Sequence, residues 1–197
     1  MVYALKKASV LVVDDMQPML ALASSLLKIF GFEKIILAHD AEEGFRKFCE
    51  HNPDIVLTDW LMDPYDGTEL IRKIRTEPKS PNHFVPIILM TGYSHKIRVE
   101  HARDSGVTEF LVKPFRAKDL YARIEQLIEK PRRFVDAREF FGPDRRRKRP
   151  DNYMGPFRRD VDEFKEIAGM EKGEATALLR KLKEQARETA RDKKVKE

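Results

Sequence analysis

Five short apolar segments, each followed by a segment with helical periodicity, constrain the fold of this chain more than any other feature. The apolar segments suit strands buried on both faces, and they span residues 10–13, 35–38, 54–59, 85–90 and 110–112. Helical spacing of apolar residues follows at 19–30, 41–49, 67–75, 95–105 and 117–128. This alternation predicts an α/β fold, a five-stranded doubly wound parallel sheet with helices on both faces.

The distribution of charge predicts where the first domain ends. The chain of 197 residues carries a formal net charge of +5. Residues 1–130 hold 18 basic and 19 acidic side chains, whereas residues 131–197 hold 20 basic and 14 acidic ones. The basic excess therefore belongs to the last third, and we predict three parts: a domain over 1–130, a basic arm over 131–159 and a helical extension over 160–197.

Composition also excludes several classes of protein. The single cysteine, Cys49, excludes an internal disulfide framework and a cysteine zinc site, and it fits a reducing compartment. No stretch approaches the roughly 18 apolar residues of a membrane span. The five histidines show no metal-binding spacing with Asp or Cys. We therefore expect a cytoplasmic protein without a membrane partner.

Polar residues end four of the predicted strands. Asp14 and Asp15 end the first strand, Asp59 the third, Thr91 the fourth, and Lys113 follows the fifth. In doubly wound sheets, ligands bind at the carboxyl ends of the strands, near the point where the strand order reverses. Clustered carboxylates repel one another unless a hard cation such as Mg²⁺ lies between them. A lysine and a hydroxyl beside them suit a site that accepts a phosphoryl group on a carboxylate.

These residues resemble the motif of response-regulator receiver domains, which have a flavodoxin-like fold. The likeness covers residues 9 to about 130, and its order and intervals make it specific. It is carried by Asp14-Asp15, by Asp59-Trp60-Leu61-Met62 with Asp66-Gly67, by Thr91-Gly92 and by Lys113-Pro114-Phe115. The resemblance implies a two-component response regulator rather than an enzyme with turnover on a separate substrate.

The resemblance also implies a role for each acidic residue. Asp59 would be the residue that receives the phosphoryl group from a histidine kinase or a histidine phosphotransfer protein. Asp14, Asp15 and Asp59 would hold Mg²⁺, with the backbone carbonyl of Leu61 as a further ligand.

The remaining motif residues would sense the phosphoryl group. Lys113 would pair with it, Thr91 would move to contact it, and Phe110 would be the aromatic switch residue that turns inward. The peptide bond between Lys113 and Pro114 is expected to be cis.

Two departures from the family pattern stand near the site. Asp63 occupies the position where receivers usually have proline, and Pro64 follows it, so the loop after Asp59 is expected to bend differently. Leu61 and Tyr93 occupy positions where the family often has polar residues that place the hydrolytic water. We therefore expect a comparatively long-lived phosphoryl state.

The segment after Pro131 permits several interpretations. Its Pro/Gly punctuation predicts an extended arm that packs Phe140 and Phe141 on the domain, followed by five basic residues at 145–149 and helices over 160–168 and 174–194. The leading interpretation is signalling by phosphorylation-dependent contact with an unidentified protein, with homodimerisation open. The alternatives are a DNA-binding regulator that uses the basic tail, a cyclic-dinucleotide binder, and a scaffold that is not phosphorylated.

Overall fold

The computed structural model describes residues 5–92, 105–137 and 140–144. Five strands form one parallel sheet in the order β2-β1-β3-β4-β5: β1 (Ser9–Val13), β2 (Lys34–Ala38), β3 (Ile55–Asp59), β4 (Ile87–Thr91) and β5 (Glu109–Val112). The four described helices are α1 (Gln17–Phe30), α2 (Ala41–His51), α3 (Gly67–Thr76) and α4 (Ala117–Glu129). The predicted five-stranded doubly wound sheet is therefore confirmed.

The interior strands β1, β3 and β4 are buried almost throughout, because helices cover both faces of the sheet. One apolar cluster joins the sheet to α1 and α4 through Leu20, Leu27, Leu120 and Ile124. The second joins the opposite face to α2 and α3 through Phe48, Leu70 and Ile74. This two-sided burial explains why the strands contain continuous apolar runs rather than an alternating pattern.

The strand order reverses between β1 and β3. β1 pairs with β2 on one side and with β3 on the other, and Val13 aligns with Ala38 and with Thr58. The carboxyl ends of β1 and β3 are therefore neighbours at the point where the strand order reverses. Asp14 and Asp59 stand at these two ends.

Local signals in the sequence explain where several helices begin and end. Asp40 caps α2 by accepting a hydrogen bond from the Glu43 amide, and Gly31 ends α1 with a φ of 101°. Asp66 and Glu69 form a reciprocal capping box at the start of α3. None of the helices in the described ranges is long and apolar enough to cross a bilayer.

The segment after α4 differs from the predicted extended arm. Strands β6 (Phe134–Ala137) and β7 (Phe140–Pro143) pair antiparallel as a hairpin. Phe141 packs against Phe84 with ring centroids 5.0 Å apart, so the expectation that this aromatic residue contacts the domain is confirmed. Most of the helix predicted over 95–105, the basic run at 145–149 and the predicted C-terminal helices lie outside the described residues.

Candidate functional site

Asp14, Asp15 and Asp59 converge at the carboxyl edge of the sheet. One carboxylate oxygen from each lies within 4.8 Å of those of the other two. Asp14 is fully buried, Asp59 is 8% exposed and Asp15 faces solvent. The parallel sheet brings together residues that are 45 positions apart in the chain because it places the ends of β1 and β3 side by side.

Lys113 joins the two buried carboxylates. Its Nζ donates to Asp14 Oδ2 at 2.9 Å and lies 2.9 Å from Asp59 Oδ1. The Lys113 amide donates to the Thr91 carbonyl at 2.7 Å, which fixes the start of the loop after β5 beside the end of β4. The peptide bond between Lys113 and Pro114 is cis, as predicted. Among the residues that the structure describes, one ammonium thus accompanies three carboxylates, which leaves these groups with excess negative charge.

Two backbone amides orient the buried carboxylates. The Trp60 amide donates to Asp59 Oδ1 at 2.8 Å, and the Met16 amide donates to Asp14 Oδ1 at 2.9 Å. Each of these oxygens is therefore held by the first turn of the loop that follows its own strand. The sequence motifs did not indicate these amides, because any residue type except proline can supply a backbone N–H.

Burial and charge act in opposite directions on the two titratable groups. Burial raises the pKa of Asp59 above its usual value, and the nearby charge of Asp14 adds to this rise, while hydrogen bonds from Lys113 and Trp60 offset part of it. Burial opposes the charged form of Lys113, but its bonds to Asp14 and Asp59 outweigh burial and raise the pKa of Lys113. Lys113 therefore remains a cation, and the Asp59 carboxylate is left short of positive charge.

The donor set fits a magnesium ion. Mg²⁺ takes oxygen ligands at about 2.1 Å, and the excess carboxylate charge supplies the attraction that a hard cation requires. The three carboxylates need only a small closure to share one ion. The cluster does not include Asp63, and the peptide bond between Asp63 and Pro64 is cis.

Gly67 is required by the close approach of α3 to the end of β3. A Cβ atom at Gly67 would lie 1.9 Å from the Asp59 carbonyl oxygen, far closer than two such atoms can approach. The Gly67 amide also donates to the Trp60 carbonyl at 2.8 Å and so closes the loop over residues 60–67. The sequence motif contained this glycine after the Asp66 cap, but the steric reason for it is visible only in the structure.

The predicted switch residues occupy one face of the sheet. Thr91 aligns with Val112 and Leu89 aligns with Phe110, and residues two apart on a strand point to the same side. Thr91 is buried, whereas Phe110 is half-buried against the cluster that includes Leu89. Tyr93 lies outside the described residues, and the side chain of Leu61 is 53% exposed.

Comparison with known proteins agrees with this geometry. The family model described as "Response regulator receiver domain" matches residues 10–125. The chain is 29% identical over 121 residues to the chemotaxis protein CheY of Pseudomonas aeruginosa, covering 61% of this chain and 96% of that protein. It is 27% identical over 125 residues to CheY-3 of Vibrio cholerae, covering 64% of this chain and 95% of the relative.

Solved structures give the same result for the fold. The chemotaxis response regulator CheY4 of Vibrio cholerae superposes with a TM-score of 0.57 at 26% identity, covering 61% of this chain and 98% of that one. A receiver-domain protein from Clostridium thermocellum superposes with a TM-score of 0.55 at 31% identity, covering 62% and 95%. The fold and the acidic edge of the sheet define a receiver domain of two-component signalling. The chain belongs to the response regulator receiver domain family.

Substitution of Gly67 tests whether its contact with Asp59 positions the acidic site. In Gly67→Ala the new methyl group displaces Asp59 or α3, and we expect Mg²⁺ affinity to fall about tenfold or more. A Mg²⁺ titration followed by Trp60 fluorescence measures this affinity. Gly31→Ala is the control, because it strains a left-handed residue at the far end of α1 by about 1 kcal/mol without touching the site. Wild-type affinity in Gly67→Ala, as in the control, would refute the positioning role.

The raised pKa of Asp59 predicts a pH-dependent effect of Asp59→Asn. The native protein binds the proton of this carboxyl more readily than the unfolded chain does. The wild type therefore loses stability as pH rises from the ordinary pKa of aspartate, about 3.9, through the higher folded pKa. Above that window, in a chelator, we expect the Asn variant to be the more stable protein, with the difference shrinking toward zero below it. Urea unfolding across this pH range measures it, and a less stable variant at neutral pH would contradict the account.

Proposed function

We propose that the protein accepts a phosphoryl group on Asp59 and signals through contact with another protein. The observation that carries the proposal is the bridge that Lys113 makes between Asp14 and Asp59, with Asp15 beside it, at the point where the strand order reverses. Receiver domains are phosphoacceptors rather than enzymes with turnover on a separate substrate, and this site contains the groups that such an acceptor needs. A histidine kinase or a histidine phosphotransfer protein is the proposed donor.

The geometry suggests how the chain's own residues serve the transfer. Both hydrogen-bonding contacts of the Asp59 carboxylate involve Oδ1, so we assign to Oδ2 the attack on phosphorus. The bond from Oδ2 to phosphorus forms while the bond from phosphorus to the donor's imidazole nitrogen breaks, and that nitrogen leaves with the electron pair. Lys113 holds the Asp59 carboxylate in place and supplies a positive charge beside the transferred group.

Asp14, Asp15, Asp59 and the Leu61 carbonyl are the proposed Mg²⁺ ligands. When bound, the ion would offset the negative charge that carboxylates and phosphoryl oxygens share during transfer. Thr91 and Phe110 are the proposed switch residues, because they lie on one sheet face and Thr91 ends the strand beside Lys113.

Exposed apolar side chains close in sequence to the acidic residues support a protein partner. Met16, Leu61, Tyr65 and Val112 are 38% to 54% exposed, and each lies within six residues of a residue of the site. Exposed apolar side chains beside a polar site are typical of protein contact surfaces. The DNA-binding alternative rests on residues 145–149, which lie outside the described residues, so the structure adds nothing in its favour. The free thiol of Cys49 fits the proposed cytoplasmic location.

A phosphoryl mimic tests the proposal directly. Trp60 is the single tryptophan of the chain, it is 9% exposed, and its amide is bonded to Asp59. Beryllofluoride added with Mg²⁺ is expected to change the fluorescence of the wild type and to leave that of Asp59→Asn unchanged. A wild-type signal that does not respond at saturating Mg²⁺ would eliminate the proposed function.

The lifetime of the phosphoryl group tests the consequence of Leu61. An apolar side chain at this position cannot place the hydrolytic water by a hydrogen bond. We expect Leu61→Gln to shorten the half-life about tenfold, since one such bond is worth ~1 kcal/mol or slightly more. Loss of label after phosphorylation by a small-molecule donor measures the half-life. Leu22→Gln, the same substitution at an exposed position of α1, is the control. A wild-type half-life of minutes or less would contradict the expectation of a long-lived phosphoryl group.

A further inference from the structure

The hairpin of β6 and β7 packs on the domain at the amino-terminal side of β4 and β5, far from the acidic cluster along the strands. The ring of Phe84, just before β4, lies 5.1 Å from that of Phe134 and 5.0 Å from that of Phe141 in edge-to-face contacts. His83 adds a fourth ring, 6.3 Å from Phe141. Aromatic contacts of this kind add about 0.5–1.5 kcal/mol each beyond the burial of their area.

Arg75 connects the hairpin to the turn that precedes β5. It is 3% exposed, and its Nε and Nη2 donate to the Gly106 carbonyl at 3.1 and 3.0 Å, while its Nη1 donates to the His83 carbonyl at 2.7 Å. Its guanidinium lies over the ring of Phe134, 5.1 Å from the centroid. Burial lowers the pKa of Arg75 to about 9. The hairpin thus covers a buried cation that holds the Gly106 turn.

Glu109, the first residue of β5, is attached to the segment that enters the hairpin. Its side chain is 2% exposed, and its Oε1 accepts from Arg132 at 2.9 Å and from Gln126 at 3.1 Å. Arg132 also donates to the Asp144 carbonyl at 3.3 Å, which ties the exit of the hairpin to its entrance. Release of this segment would remove the closest cation from a buried carboxylate and leave it with Gln126 and with Arg123, whose Nη1 lies 3.9 Å from Oε2, which is unfavourable.

β5 is short, and it lies at the edge of the sheet. It pairs with β4 alone in the five-stranded sheet, and it has four residues. Glu109 begins the strand and Lys113 follows its last residue, so the two lie about 13 Å apart along an extended chain. Backbone pairing with β4 sets the register of β5, and ion pairs at both ends add to this, Arg132 with Glu109 and Lys113 with Asp14 and Asp59.

We propose that the hairpin is a positioning element for Lys113. By fixing Gly106 and Glu109, its docking supports the start of β5 and so the position of Lys113 beside the two buried carboxylates. This inference rests on the proposed function of Asp59. Because coupling between two equilibria is reciprocal, occupation of the site by a phosphoryl group strengthens hairpin docking by the same factor by which docking strengthens phosphoryl binding. The state of Asp59 is thereby transmitted to the chain that follows Asp144.

Amide hydrogen exchange of the full-length wild type tests the inference without any substitution. Addition of Mg²⁺ and beryllofluoride is expected to slow exchange of the hairpin amides at 134–137 and 140–142 about 5- to 10-fold. Unchanged exchange in a protein that binds the mimic, as shown by Trp60 fluorescence, would overturn the coupling while leaving the proposed function intact. A wild type that does not bind the mimic would remove both.

Variants of the hairpin provide the reciprocal measurement. Phe134→Ala and Arg132→Gln are expected to weaken binding of beryllofluoride by that same 5- to 10-fold factor, and Arg132→Lys to restore most of it. Phe45→Ala is the matched control, because Phe45 is a half-buried aromatic residue on α2 that stacks on Phe48. Wild-type affinity in both hairpin variants, or an equal loss in Phe45→Ala, would show that the hairpin is only a stabilising element.

Discussion

The ion pairs of Lys113 with Asp14 and Asp59 are the interaction on which the acidic edge of this sheet depends. A fully buried carboxylate such as Asp14 is tolerated only with a charged or hydrogen-bonding partner, and Lys113 reaches it from across the sheet at 2.9 Å. Strand pairing sets the distance between β1 and β3, the Trp60 amide orients Asp59, and Gly67 allows α3 to begin against its carbonyl. Among the described residues the single lysine leaves this cluster with excess negative charge, which suits a hard cation. Under the proposed function, that cation together with Lys113 would in turn attract the phosphoryl group.

The opposite side of the domain carries two further buried charges. Arg75 and Glu109 are a buried cation and a buried anion on neighbouring elements, and each is completed by the hairpin segment after α4. The position of Glu109 matters, because Glu109 and Lys113 stand at the two ends of one short strand, β5. The acidic cluster and the hairpin segment are therefore both tied to β5, through Lys113 and Glu109.

The sequence was sufficient for the sheet, the strand ends and the converging residues, because apolar runs, helix caps and acids after strands are local patterns. It was not sufficient for the hairpin. Residues 131–144 contain two prolines and a glycine, and their pairing depends on Phe84 and Arg75, which are more than 45 residues away. Arg75 did carry a signal, since it lies four residues after Ile71 and so falls near the inward face of α3. Its partners, two backbone carbonyls and a ring, leave no pattern in a sequence.

The most direct test of the account is to locate the phosphoryl group. The full-length protein is incubated with Mg²⁺ and a small acyl phosphate, and its mass and its peptides are then analysed. We expect the addition of one phosphoryl group, on Asp59, as an acyl phosphate that hydroxylamine removes, and no addition in Asp59→Asn. A protein that gains no phosphoryl group, or an Asp59→Asn variant labelled as fully as the wild type, would contradict the central claim.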